Sequence, residues 1–115
     1  MDQNYLKECL EKMDDRVALK DLQKYVNDMV EIRGFDNTTP QEVMLLLTEE
    51  IGELAKEVRK STKMKIDVKR QKEIDVEGEI ADVFIYILSM CRVMNINLID
   101  ALKNKEQINL KREWK

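Results

Sequence analysis

Apolar residues recur along this chain at helical rather than alternating spacing. Tyr5, Leu6, Cys9, Leu10 and Met13 share one face of a short N-terminal helix. Asp14 or Asp15 offers an N-cap for a longer second helix, in which Leu19, Leu22, Val26, Met29 and Val30 form a stripe. That stripe ends at Arg33, with Gly34 suited to the position just past the cap. Phe35-Asp36-Asn37-Thr38 reads as a loop. Thr39-Pro40-Gln41-Glu42 then carries a complete helix-start signal: a capping threonine, a proline at the first helical position and a glutamate closing a capping box. The helix it opens is expected to reach about Lys60.

Residues 61–75 are Lys-rich, polar and weakly periodic, and read as an exposed connection. A further helix is predicted from about Val76 to Met94. Its apolar residues Ile80, Val83, Phe84, Ile85, Ile87, Leu88 and Cys91 cover more than one face, the pattern of a helix buried between neighbours. In a chain of 115 residues, part of that cover is expected from a partner subunit. Asn97 caps a last helix bearing Leu98, Ile99, Ala101 and Leu102 and running into Lys105, Asn109 and Arg112. The expected fold is all-α: one domain over residues 1–115, a compact bundle of four to five helices with residues 1–16 as an N-terminal extension.

Composition agrees with a helical chain. There are 3 Gly and 1 Pro, and 37% of residues are charged. Twenty basic residues stand against 23 acidic ones, a formal charge of −3, which argues against a binder of nucleic acid polymers. Cys9 and Cys91 form no metal-binding or disulfide pattern. The N-terminus carries Asp2, Lys7, Glu8 and Glu11 where a signal peptide would be apolar, and the stretch Val83–Val93 is too short to span a bilayer. A soluble cytoplasmic protein without membrane contact is expected.

The chain has no histidine. Any metal it holds must be bound through oxygen, which favours Mg²⁺ or Mn²⁺. Two acidic pairs then stand out. Glu50 with Glu53, and Glu79 with Asp82, are each spaced i,i+3 and so project from one face of a helix. Glu79 and Asp82 head the most hydrophobic stretch of the chain, where an ionised carboxylate is costly unless a cation or donors satisfy it. Glu49, Glu50 and Glu53 crowd three like charges onto about one turn. Solvated acidic faces are the competing reading, and for Glu57, Glu73 and Glu77 the exposed surface is the expectation. If the two helices pack antiparallel, the four acids of the two pairs meet at one level and form a divalent-metal site.

Glu49-Glu50-Ile-Gly-Glu53, followed by Glu79-Ile-Ala-Asp82, resembles the EExxE…ExxD signature of MazG-like nucleotide pyrophosphohydrolases, of the all-α NTP pyrophosphatase superfamily. Thr39-Pro40, the run Leu45–Leu54, Asn95-Ile-Asn-Leu and the tail Lys105…Asn109…Arg112 extend the resemblance to about residues 17–114. Phe35 stands before the Thr-Pro turn, where relatives often carry Trp. The resemblance implies Mg²⁺-dependent hydrolysis of a nucleoside triphosphate to the monophosphate and pyrophosphate. It implies Glu50, Glu53, Glu79 and Asp82 as metal ligands, and Glu49 as the group that orients or deprotonates the attacking water, with metal-activated water as the alternative. Lys105 and Arg112 would contact phosphate, Asn109 the ligand and Phe35 the base. The rival readings are ordinary helix-end cations for Lys105 and Arg112, a turn cap for Asn109 and a packed aromatic for Phe35. Relatives are generally dimers or tetramers, so a homo-oligomer is expected. A related helical enzyme acting on dUTP or phosphoribosyl-ATP, or a non-catalytic helical dimer binding nucleotide or protein, are the alternatives.

Overall fold

The computed structural model describes residues 1–62 and 74–114. It is all-α. Among the described residues there are five helices and no strand: α1 (Gln3–Glu11), α2 (Leu19–Ile32), α3 (Pro40–Thr62), α4 (Val76–Val93) and α5 (Leu98–Leu110). Of the Lys-rich connection expected over 61–75, residues 63–73 lie outside the described residues, while Ser61 and Thr62 belong to α3.

Local chemistry sets most helix ends. The α2 end is closed by a Schellman motif: Phe35 N–H donates to Val30 O at 2.9 Å and Gly34 N–H to Glu31 O at 3.1 Å. Gly34 takes φ +78°, a conformation in which a Cβ would be strained. α4 ends in the same way with Asn95 at φ 56°. Here Ile96 N–H donates to Cys91 O at 2.8 Å and Asn95 N–H to Arg92 O at 3.2 Å. At the start of α3, Glu42 N–H donates to Thr39 Oγ1 at 3.2 Å, and the Thr39 hydroxyl donates to the Glu42 carboxylate at 3.1 Å. The second arm of the capping box thus runs from the Thr39 hydroxyl and not from its backbone N–H. Asn97 Oδ1 accepts from Asp100 N–H at 3.1 Å and caps α5.

One expected cap is corrected. Neither Asp14 nor Asp15 starts α2: its N-cap is Ala18, which offers no side-chain acceptor. Asp14 instead folds its own turn, accepting from Arg16 N–H at 2.9 Å and pairing with the Arg16 guanidinium at 2.6 Å. A carboxylate so engaged with its near neighbour is not free to cap a helix four residues on.

The buried core is small and lies on the α2 side of the molecule. Leu6, Val26, Met29, Val30 and Leu88 form it, with Tyr5, Leu22, Ile85 and Leu98 packed around them. Tyr5 joins α1 to α2 by donating to Asp28 at 2.8 Å, while Lys24 donates to the same carboxylate at 2.7 Å. Gln23 holds the α4–α5 corner: its amide donates to Ile96 O at 3.0 Å and accepts from Leu98 N–H at 3.1 Å. Among the described residues no single helix is long and apolar enough to cross a membrane; α4 and α5 reach that composition only as a pair bent by 97°.

α3 stands outside this core and packs along α4. The non-exposed residues of α3 lie on one stripe, Pro40, Val43, Leu47, Glu50, Leu54, Glu57 and Lys60, stepping by three or four. Within one chain, α4 is covered only in part. Ile80, Phe84 and Ile87 remain exposed on it because α2 and α3 occupy only its other faces.

Candidate active site

Two positions of the α3 stripe that would ordinarily be apolar are glutamates. Glu57, expected at the surface, is 8% exposed, and its burial has a local cause. Its carboxylate accepts from the backbone N–H of Asp75 at 3.3 Å and meets Lys60 Nζ at 3.4 Å. Asp75 is the N-cap of α4 and accepts from Gly78 N–H at 2.8 Å. A Cβ at position 78 would meet the Asp75 carboxylate, which would have to swing aside and loosen this cap. Glu57 thus fixes where α4 begins against the far end of α3, and the two helices run antiparallel.

Two turns back along α3 is Glu50. The antiparallel arrangement sets it opposite Glu79 and Asp82, and carboxylate oxygens of these three residues lie within 4.8 Å of one another. Glu79 Oε2 is buried and has no hydrogen-bond partner. Burial, first, and then the facing Glu50 carboxylate hold the Glu79 carboxyl above its ordinary value, with Asp82 and Glu53 adding repulsion. Such an arrangement is costly when every acid is ionised, and a hard divalent cation removes the cost. The orphaned oxygen, the converging carboxylates and the absence of histidine all fit a cation bound through oxygen.

The other expected residues are placed differently. Glu53 is exposed and outside the three-residue group, yet near enough to act on the charge of Glu79. Glu49 is exposed beside the group and contributes, after burial, Glu50 and Asp82, to raising the Tyr86 hydroxyl above its ordinary value. Lys105, Asn109 and Arg112 are not brought to the acids. α5 leaves from the far end of α4, bent by 97°, and has no buried residue. The rise of α4 from Asp82 to Val93 alone is about 16 Å. Arg112 instead lies over the Trp114 ring at 4.7 Å, and Trp114 Nε1 donates to Asn109 O at 3.0 Å.

Phe35 is 59% exposed and lies at the wall of a cavity of about 230 Å³ between the end of α2, the start of α3 and α4. Asp82 lies in the same wall, so the cavity opens onto the acid group. Tyr86, Ser89, Arg92 and Arg33 also line it, and no motif drew attention to them. The signal was present for three: Tyr86, Ser89 and Arg92 follow Asp82 at i+4, i+7 and i+10 on one face of α4.

An all-α protein carrying converging acids from two antiparallel helices, beside a cavity for an organic group, has the parts of a metal-dependent hydrolase. The family model for the MazG nucleotide pyrophosphohydrolase domain matches residues 38–113, two-thirds of the chain, and the chain belongs to that family. The match begins later than residue 17: α1 and α2, which supply most of the core, lie outside it. No curated protein sequence matches the chain. Membership assigns the general activity, hydrolysis of a pyrophosphate bond in a nucleotide.

Proposed function

We propose that this protein is a Mg²⁺-dependent nucleoside triphosphate pyrophosphohydrolase, releasing the nucleoside monophosphate and pyrophosphate. The observation that carries the reading is the convergence of Glu50, Glu79 and Asp82 around a buried carboxylate oxygen without a partner, in a chain of this family. Glu50, Glu79 and Asp82 would hold Mg²⁺, with Glu53 one turn from Glu50 as a further ligand. Bound there, the ion supplies Lewis-acid polarisation of phosphate oxygens and offsets charge in the transition state. Glu49, beside the group and open to solvent, accepts the proton of the attacking water. Its carboxylate is suited to the task because it is not spent in the converging set. The adjoining cavity receives the nucleoside and excludes water from its apolar walls, Met29, Val30, Val43 and Ile85. Removal of damaged nucleotides or control of nucleotide pools is the role we assign.

We place the protein in a homo-oligomer. Met44, Thr48, Ile51, Ala55 and Val58 form a second α3 stripe at steps of four and three, exposed along its length. Thr48 adds no polar cost, since its hydroxyl donates to Met44 O at 2.8 Å. Ile80, Phe84 and Ile87 continue the apolar surface on α4. A second copy is the occupant that such a repeated spacing matches, because a two-fold contact presents the same seam twice. Lys105, Asn109 and Arg112 are too far from the acids of their own protomer, so any phosphate contact they make is to the site of the neighbouring copy.

The test is a panel of ribo- and deoxyribonucleoside triphosphates with Mg²⁺, resolving all phosphate products. Monophosphate with pyrophosphate, lost in EDTA and in Asp82→Asn at unchanged helical content, is the expected result. Diphosphate with phosphate would mean that the bond broken is a different one. Turnover undiminished in Asp82→Asn would remove the proposed site.

A further inference from the structure

We infer that the cavity beside the acids selects bases with a lactam edge, a ring carbonyl next to an N–H, over bases with an amino group at that edge. Hypoxanthine, guanine, uracil and thymine belong to the first class; adenine and cytosine belong to the second. This inference rests on the proposed nucleotide reaction and adds to it the class of substrate.

Asp82 belongs both to the acid group and to the cavity wall, so it fixes the end of the cavity nearest the phosphates. From Asp82 the wall continues along α4 through Tyr86 and Ser89 to Arg92. Ten residues of helix rise about 15 Å, the span of an extended nucleotide. A nucleoside lying along this face therefore brings its base edge to Ser89 and Arg92. Arg33, the C-cap of α2, lines the same cavity from the other side.

The polar groups at that end have a fixed sense. Guanidinium groups only donate. Among the described residues neither Arg33 nor Arg92 takes part in a side-chain ion pair, so their donors are available to a ligand. Ser89 donates its hydroxyl proton to Ile85 O at 3.0 Å, which leaves its oxygen as an acceptor. Ser89 and Arg92 are spaced i,i+3 and are neighbours on the helix surface. An acceptor next to a donor complements a lactam, whose N–H meets the Ser89 oxygen and whose carbonyl meets the guanidinium. An amino-bearing edge reverses both partners, setting N–H against N–H and a lone pair against a lone pair. Mispairing of this kind in a partly enclosed site is strongly discriminating.

Hypoxanthine and adenine differ at this edge and share sugar, size and stacking surface, so they isolate the effect. Calorimetric titration of the full chain with inosine and adenosine monophosphates is expected to show inosine binding tighter by about tenfold or more. The ratio of kcat/KM for the two triphosphates should follow, as should uridine against cytidine. In Arg92→Met and in Ser89→Ala the preference should fall to about twofold or less, and Arg33→Met, at an exposed position, gives an independent variant if either fails to fold. Equal affinity for the two bases in the wild type, together with a kcat/KM ratio near one, would overturn the inference. So would variants that weaken both ligands alike, the behaviour of a general phosphate or structural contact. Turnover without base preference would sink this inference and leave the proposed reaction standing. Base preference in binding without any turnover would do the reverse.

Discussion

The residue with most to reveal about the site is Glu79. Its carboxyl is raised in the folded chain, so the native state holds that proton more tightly than the unfolded state does. The sign follows: in the absence of metal, this contribution to stability is greatest near and below the ordinary value of 4.5 and is lost as pH rises through the raised one. Thermal melting in EDTA should therefore show Tm falling across that window, and Glu79→Gln should flatten the fall. Mg²⁺ should raise Tm more at neutral than at acidic pH, because the cation replaces the proton, and should not raise it in Glu79→Gln. An equal Mg²⁺ effect in the variant would mean that the ion binds elsewhere. Glu57 has a different task. Glu57→Ala removes the acceptor of the Asp75 N–H and leaves a gap beside Lys60, and should cost about 1–3 kcal/mol by denaturant titration. Glu57→Gln keeps an acceptor and should cost less.

At the scale of elements, the ends of helices were the most legible part of the chain. Gly34, Thr39 and Asn97 are caps whose partners lie within five residues, so the signal and its satisfaction sit in one short window. Gly34→Ala forces a Cβ into φ +78° and should destabilise by about 1 kcal/mol. Asp14 shows how a local signal misleads: two acids offered a cap, but a nearer arginine took the carboxylate. The acidic pairs were legible as pairs, since i,i+3 spacing fixes which residues share a face. Their pairing across helices was not, because it depends on the register of α3 against α4. That register is set in part by Glu57 reaching Asp75 across 18 positions, and no periodicity reports it. The α4–α5 corner is of the same kind. Gln23→Ala should lower stability by about 1–2 kcal/mol and increase amide exchange at Leu98, since the side chain ties α2 to the α4–α5 connection and to the start of α5 through two hydrogen bonds.

At the scale of the molecule, one protomer covers too little of its own apolar surface. Ile51, Phe84 and Leu102 are all exposed, on three different helices. Ile51→Glu places a charge at the middle of the outer α3 stripe. If the homo-oligomer we propose uses this face, analytical ultracentrifugation should show the wild type associating and the variant shifted to monomer at the same concentration. A variant that assembles like the wild type would place the contact on another face.

By itself the sequence determined the helices, most of their ends, the acids that share a face and the family. These depend on spacing along one helix or on residues a few positions apart, where chain geometry leaves little choice. Tertiary structure alone decided the rest. It buried Glu57, brought Glu50 to Glu79 and Asp82 while leaving Glu53 at the edge, and held Lys105 and Asn109 away on an outlying helix with Arg112 just past its end. It also made one cavity from the end of α2 and a face of α4. The physical reason is the same in each case. Helical periodicity states which side chains look in one direction, but packing between elements distant in sequence decides what they meet.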